Sequence, residues 1–288
     1  MSHKFNEVAI RAVSSALPST SVIVSKVIRT IYDESSSAKD LAQIIEHDPP
    51  LSARILKIAN SAFYGHSRTI NSIQRSVVVL GFNKIKELIT TVTILHYLFD
   101  PKHSTSIDTL GLWLHSVGTA KAAQIISQQI NRDRSDVAYT IGLLHDIGKI
   151  LLALCFPDQY SGVVQLAEKE RCRIILAERK LLNTDHTIIG KILCDLWILP
   201  EEISYAVASH HDLRGATSAS YLQARITHLA DYICRKAHIG NPGDNLIPKP
   251  SKAALVLFGS SSEKIKSNID TVAQEIIKSK SDIENFFI

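Results

Sequence analysis

The chain has 288 residues, with 32 Lys and Arg against 28 Asp and Glu, for a formal net charge of +4. Apolar residues make up 45% and charged residues 21%, which excludes a disordered chain, because that apolar content can bury enough surface to offset chain entropy. The length allows one large domain or two, with a core that needs no disulfide staples, and the mild positive balance permits an acidic partner without demanding one.

The four cysteines, Cys155, Cys172, Cys194 and Cys234, form no C-x-x-C pair. With no secretory signal evident, they are expected to be reduced, mostly buried thiols of a cytoplasmic protein. The most apolar stretch, Ile141–Phe156, is interrupted by His145, Asp146 and Lys149 and falls short of the roughly 20 clean residues of a membrane span.

Apolar residues recur at helical spacing along most of the chain. Val22, Val27, Ile28 and Ile31 lie on one stripe and Leu41, Ile44 and Ile45 on the next. Ser37 followed by Asp40 predicts an N-cap for that second helix, and Asp48-Pro49-Pro50 its end. Further helices are predicted at about Leu51–Asn60, Ile73–Leu80 and Asn83–Phe99. Val77-Val78-Val79-Leu80 has the composition of a buried strand, but no second such run exists to pair with it, so it reads as helix. The polar stretch Asp100-Pro101 through Lys102–Ser106 is the predicted boundary of an N-terminal helical lobe, residues 1–105. A second lobe, residues 106–240, is predicted to hold helices at about Leu110–Ile130, Ser135–Leu154, Pro157–Glu170, Ile174–Leu182, His186–Leu196, Glu201–His210 and Leu222–Lys236. Gly240-Asn241-Pro242-Gly243 with Pro248 and Pro250 reads as a loop. Within residues 241–288, closing helices at about Lys252–Leu257 and Glu263–Phe287 are expected to pack back on the module. The expected fold is all-α, in two lobes.

Histidine is the outlier, with 12 residues. The centre of interest is Gly142-Leu143-Leu144-His145-Asp146-Ile147-Gly148-Lys149. Adjacent side chains point about 100° apart on a helix, so His145 and Asp146 reach one metal only if it lies between them. Among so many apolar neighbours an ionised Asp must be paired, metal-bound or shifted in pKa. Lys149 follows His145 by one turn and shares its face. Candidate partners are His115, His186 after Asp185, the His210-His211 pair, and Asp231 on an otherwise apolar helix face. Imidazoles and carboxylates together suit Fe, Mn or Zn, and a shared carboxylate suits two metals about 3.5–4 Å apart.

At these residues the sequence resembles the HD superfamily of metal-dependent phosphohydrolases, whose pattern His … His-Asp … Asp falls here on His115, His145-Asp146 and Asp231. His186, His210 and His211 are similar to the second-metal ligands of its HD-GYP branch, which hydrolyses cyclic dinucleotides and shares His-Asp-Ile-Gly-Lys. The Gly-Tyr-Pro motif of that branch is absent, since the chain reads His211-Asp212-Leu213-Arg214-Gly215-Ala216, and Gly111 stands where some of its members carry a Glu. The first lobe decides the branch. His47-Asp48-Pro49-Pro50-Leu51-Ser52-Ala53-Arg54-Ile55-Leu56-Lys57-Ile58-Ala59-Asn60-Ser61-Ala62-Phe63-Tyr64-Gly65, continued by Ile70-Asn71-Ser72-Ile73 and Val79-Leu80-Gly81, resembles the HDOD (HD-related output domain) family, over residues 15–235 or so.

That resemblance implies an all-α bacterial signalling output module whose HD-like helical lobe binds metal. Its implied ligands are His115, His145, Asp146, His186, His210, His211 and Asp231, for one or two divalent transition metals (Fe, Mn, Zn or Ni). The leading expectation is an adaptor that acts on signalling proteins in trans, its input arriving through another chain. The alternative is a metal-dependent phosphohydrolase, a phosphodiesterase acting on a phosphoester such as a cyclic nucleotide. Asp146 would then hold both metals, and Lys149 would steady the phosphate. His47, His66, His96, His103, His228 and His238 match no ligand position and read as structural. Asn60-Ser61-Ala62-Phe63-Tyr64-Gly65 reads as a helix end and turn rather than a docking surface. Neither a membrane nor a nucleic acid is an expected partner. Arg54, Lys57, Arg68, Arg75, Lys84 and Lys86 are scattered through the first lobe, with no helix-turn-helix pattern.

Overall fold

The computed structural model describes residues 20–33, 35–47, 49–60, 70, 72–98, 107–130, 134–214 and 219–279, and among them no strand occurs. The first lobe holds α1 (Thr20–Tyr32), α2 (Ala38–Glu46), α3 (Pro49–Ala59), α4 (Ile73–Leu80) and α5 (Phe82–Leu98). The second holds α6 (Thr109–Ile130), α7 (Ser135–Leu144), α8 (Ile147–Cys155), α9 (Pro157–Glu170), α10 (Ile174–Leu182), α11 (His186–Leu196), α12 (Glu201–Ser209) and α13 (Ala219–Lys236). The short α14 (Lys252–Leu255), a 3-10 turn (Val256–Phe258) and α15 (Ser262–Lys278) follow.

Local chemistry explains most boundaries. Ser37 and Asp40 form a reciprocal capping box, the Ser37 hydroxyl accepting from the Asp40 N–H while the Asp40 carboxylate accepts from the Ser37 N–H. Pro49 and Pro50 do not merely end α2. They open α3, whose first turn tolerates residues that lack an N–H or have no use for one. The segment Ser61–Gly65, His66, His103, the Asp100–Ser106 break, Gly215-Ala216 and the helix predicted beyond residue 279 lie outside the described residues.

Apolar burial is divided among three clusters. In the first lobe, Val27, Leu41, Ile45, Leu51, Ile55, Ile85 and Ile89 interlock. Trp113, Leu143, Leu144, Ile147, Leu151, Tyr160 and Val163 form the centre of the second. Ala122, Ile126, Ile226 and Ile233 pack with Ala254, Phe258, Val272 and Ile276, which seats the closing helices on α6 and α13. The stretch Ser135–Cys155 is long and apolar enough to cross a membrane by composition, but 94% of that window is buried inside the fold, and its apolarity belongs to the core. Cys155 and Cys172 are half-buried and Cys194 and Cys234 buried, all four as free thiols. Burial pushes Cys194 and Cys234 up to about 12.

The two lobes meet through a polar junction. Glu87 on α5 accepts from Lys121 Nζ at 3.0 Å and Gln124 Nε2 at 2.6 Å, both on α6. Thr91 and Tyr139 share a 2.7 Å hydroxyl contact, and the Tyr32 hydroxyl donates to the Asp136 carbonyl. Burial pushes the Glu87 carboxyl up, but the Lys121 and Lys84 ammonium groups outweigh it and hold it below its ordinary value. Truncation to Glu87→Ala removes the carboxylate that balances the largely buried Lys121 and leaves its ammonium with Gln124 Oε1 and the Tyr139 ring. It is expected to lower stability by about 3 kcal/mol, measured as a reduced urea midpoint with unchanged helical circular dichroism.

Candidate metal centre

The site begins with a broken helix. Ser135–Leu154, predicted as one helix, is two: α7 ends at Leu144, α8 starts at Ile147, and His145-Asp146 form the turn between them. A continuous helix would splay the two side chains by about 100°. The turn, with Asp146 at φ −102° and ψ 8°, instead brings His145 Nε2 to 3.2 Å from Asp146 Oδ2. Lys149 therefore relates to Asp146 through the first turn of α8 rather than to His145 along an uninterrupted helix. Glycines on either side of the turn let neighbouring backbones approach. A Cβ on Gly142 would lie 2.6 Å from Ala120 Cα on α6, and one on Gly148 would collide with the His186 carbonyl at the start of α11. These contacts deliver His115, on α6, and His186, the first residue of α11, to the turn.

Asp146 is the hub. Its Oδ2 lies 3.2 Å from His145 Nε2 and 3.8 Å from His115 Nε2, while Oδ1 lies 3.3 Å from His186 Nε2 and 3.9 Å from His210 Nε2. His115, His145, Asp146, His186 and His210 are buried and His211 is half-buried. His210 and His211 follow the end of α12, with ring centroids 4.1 Å apart, and His211 stands 5.2 Å from the His186 ring. The ligand atoms form two groups that share Asp146, one with His115 and His145 and the other with His186, His210 and His211. Within each group they lie within 4.8 Å of one another.

The outer hydrogen bonds settle where the ring protons sit. His145 Nδ1 donates to the Gly142 carbonyl at 2.7 Å, His210 Nδ1 to the Val207 carbonyl at 2.8 Å, and His186 Nδ1 to Glu178 Oε2 at 2.6 Å. A carbonyl or carboxylate only accepts, so each Nδ1 carries a hydrogen, and in the neutral ring the lone pair is on Nε2. Those three Nε2 atoms and Asp146 Oδ1 have no hydrogen-bond partner although they are buried. Buried acceptors left without donors are unfavourable, and these fall in the two groups that share Asp146, imidazole nitrogens and a carboxylate of the kind that fits a divalent cation. His115 is different: its Nε2 lies 3.0 Å from Asp231 Oδ1, and that position must shed a proton before a cation can use it. Asp231 falls outside both groups and is held by Arg235 Nε at 2.8 Å.

Burial pushes the Asp146 carboxyl up, but His145, Lys149 and His186 outweigh it and hold it well below the usual carboxylate range. Asp231 is held well below that range too, by Arg235 and His115 against the same burial. Burial lowers His115, despite the Asp231 carboxylate, and burial together with neighbouring imidazoles takes His210 and His211 well below the ordinary histidine value.

Lys149 is buried, its ammonium donating to Asp146 Oδ2 at 2.6 Å and to the Pro242 carbonyl at 2.9 Å. Pro242 belongs to a strap that crosses the site. Asn241 N–H donates to the Gly111 carbonyl at 2.7 Å, while Asp244 accepts from the Ile174 N–H and Arg235 Nη1, each at 3.0 Å. The strap explains the glycine at 111. A Cβ there would lie 2.6 Å from Asn241 Cβ and collide with Asp108, so a glutamate has no room. Glu178, Tyr160, Arg235 and Asp244 were not among the sequence candidates. Arg235 has a readable signal, four residues after Asp231 on a helix; the other three meet the site only through tertiary contacts.

A helical scaffold carrying His115, His145-Asp146 and Asp231 in this order defines a protein of the HD superfamily. The HDOD domain profile matches residues 17–213, and the chain belongs to the HDOD family. Three solved structures share its fold. An HDOD domain protein of unknown function from Geobacter sulfurreducens is 25% identical, with a TM-score of 0.75 and 92% of each chain covered. A candidate signal transduction protein from Marinobacter aquaeolei is 22% identical at a TM-score of 0.75, covering 93% of this chain and 58% of that one. A candidate phosphohydrolase from Shewanella amazonensis is 19% identical at a TM-score of 0.69, with 98% of each covered. The chain spans about a third of the length of the curated relatives it matches, 36% and 30%.

The depressed histidines fix the sign of the acid response of metal-free protein. Unfolded histidines take up protons near pH 6.5, whereas folded His115, His210 and His211 resist protonation until lower pH. Their contribution is therefore complete above about pH 6.5 and is lost as pH falls toward the folded values, because the unfolded state binds more protons there. Asp146 and Asp231 add a second loss below about pH 4, the ordinary carboxylate value. Urea midpoints of chelator-treated protein are expected to fall steadily from about pH 7 to pH 5.

Proposed function

We propose that this chain is a bacterial signalling output module of HDOD type, built around a divalent-metal centre and acting on signalling proteins in trans from the cytoplasm. The observation that carries the reading is the division of Asp146: one carboxylate oxygen faces His115 and His145, the other His186 and His210. One or two ions of Fe, Mn, Zn or Ni would be held by His115, His145, Asp146, His186, His210 and His211, with Asp231 beside His115. A bound metal supplies Lewis acidity there. It also joins residues of separate helices, so its binding adds to the stability of the fold.

Two features favour a module over an enzyme. The inner ligands are buried, and the Lys149 ammonium is engaged by Asp146 and the Pro242 carbonyl. Lys149 on this reading holds Asp146 in place rather than contacting a phosphate. The second reading, a metal-dependent phosphohydrolase, is favoured by the half-buried His211 at the edge of the second group, where a phosphoester could approach. Its chemistry would need the strap at residues 241–244 to give way before Lys149 could turn to a substrate.

Elemental analysis of protein never exposed to chelator is expected to show Fe, Mn, Zn or Ni, lost in Asp146→Ala. Absence of all four from the wild type would remove the metal centre. In a panel of phosphoesters that includes cyclic-di-GMP, assayed with added Mn²⁺, little or no turnover is expected. Fast hydrolysis that disappears in Asp146→Ala would put the enzyme first.

A further inference from the structure

The three ligand rings with fixed tautomers do not lean on equal partners. His145 and His210 donate to neutral backbone carbonyls, whereas His186 donates to a carboxylate. Glu178, wholly buried on α10, receives both the Nδ1–H and, at 3.0 Å, the backbone N–H of His186 on Oε2. Its Oε1 accepts from the buried Tyr160 hydroxyl at 2.7 Å. The next residue, Arg179, bonds Asp185 at 2.7 Å, so α10 grips the start of α11 at two successive positions.

Charge balance separates Glu178 from the other three buried carboxylates. Asp146 is paired with Lys149, Asp185 with Arg179 and Asp231 with Arg235. Among the described residues, the ion-pair partner of Glu178 is the His186 ring alone, and Tyr160 offers only a neutral hydroxyl. A buried anion without a fixed cation calls for one nearby. The unpartnered His186 Nε2, at the far side of the same ring, points to where it would sit. An anion on Nδ1–H also fixes the ring plane and makes Nε2 a stronger donor.

We propose that Glu178, held by Tyr160, is the positioning residue of the second metal position, formed by Asp146, His186, His210 and His211, and supplies the negative charge that this position balances against a divalent cation. The inference rests on the metal-centre reading above and deepens it. Glu178→Gln keeps the size of the side chain and an oxygen that accepts from His186, so a purely structural role would leave metal affinity unchanged.

Mn²⁺ titration of the full chain, followed by the paramagnetic resonance of free Mn²⁺, tests the assignment. Wild type is expected to bind Mn²⁺, and Glu178→Gln to weaken one equivalent about 10–100-fold. Wild-type affinity in the variant would overturn this inference alone, whereas no binding by the wild type would bring down the metal centre itself. A second readout does not depend on the variant folding. Nitrogen-15 shifts of the His186 ring in metal-free wild type are expected to show a protonated Nδ1 and a bare Nε2, and the reverse tautomer would overturn the proposal.

Discussion

The Asp146 carboxylate is removed from water and surrounded by imidazoles, and much of the second lobe is arranged to keep it charged there. An isolated buried carboxylate would take up a proton. Here the Lys149 ammonium, 2.6 Å away, holds it ionised against that burial. Each helix around the turn contributes one of these groups or supports one: α6 through His115, α8 through Lys149, α11 through His186 and the end of α12 through His210. Their placement follows from the carboxylate they share.

Backbone proximity makes this convergence geometrically available. Small residues at Gly142 and Gly148 allow α7 to lie on α6 and α8 to touch the first residue of α11. Tautomers are then set by whatever acceptor stands behind each ring, two carbonyls and one carboxylate. The strap at residues 241–244 adds a further tie. It joins Lys149 through Pro242 and Arg235 through Asp244, so the counter-charges of both Asp146 and Asp231 are anchored to the same segment.

The first lobe is connected to this centre by more than apolar contact. Glu87 and Thr91 on α5 reach α6 and α7, the two helices that carry His115 and lead into His145. Buried polar junctions of this kind are directional, because their partners must meet in one geometry. The relative placement of the lobes is thereby tied to the helices of the site.

All-α character, helix positions and the identities of the histidines and aspartates were legible in the chain alone, because the period of apolar residues and the cap at Ser37 are local properties. The HD and HDOD patterns are local as well, and they bring His115, His145, Asp146, His186, His210 and His211 to notice together. The break between α7 and α8 was not legible: apolar residues lie on both sides of His145-Asp146, which suits one helix as well as two, and the turn there depends on neighbours that approach from α6 and α11. Glu178 and Tyr160 gave no signal either. A glutamate and a tyrosine in amphipathic helices ordinarily face solvent or core, and only packing decided that they meet each other and His186 in the interior. Residue type sets which chemistry is available, while protonation, pairing and burial depend on groups distant in sequence and are decided when the helices close on one another.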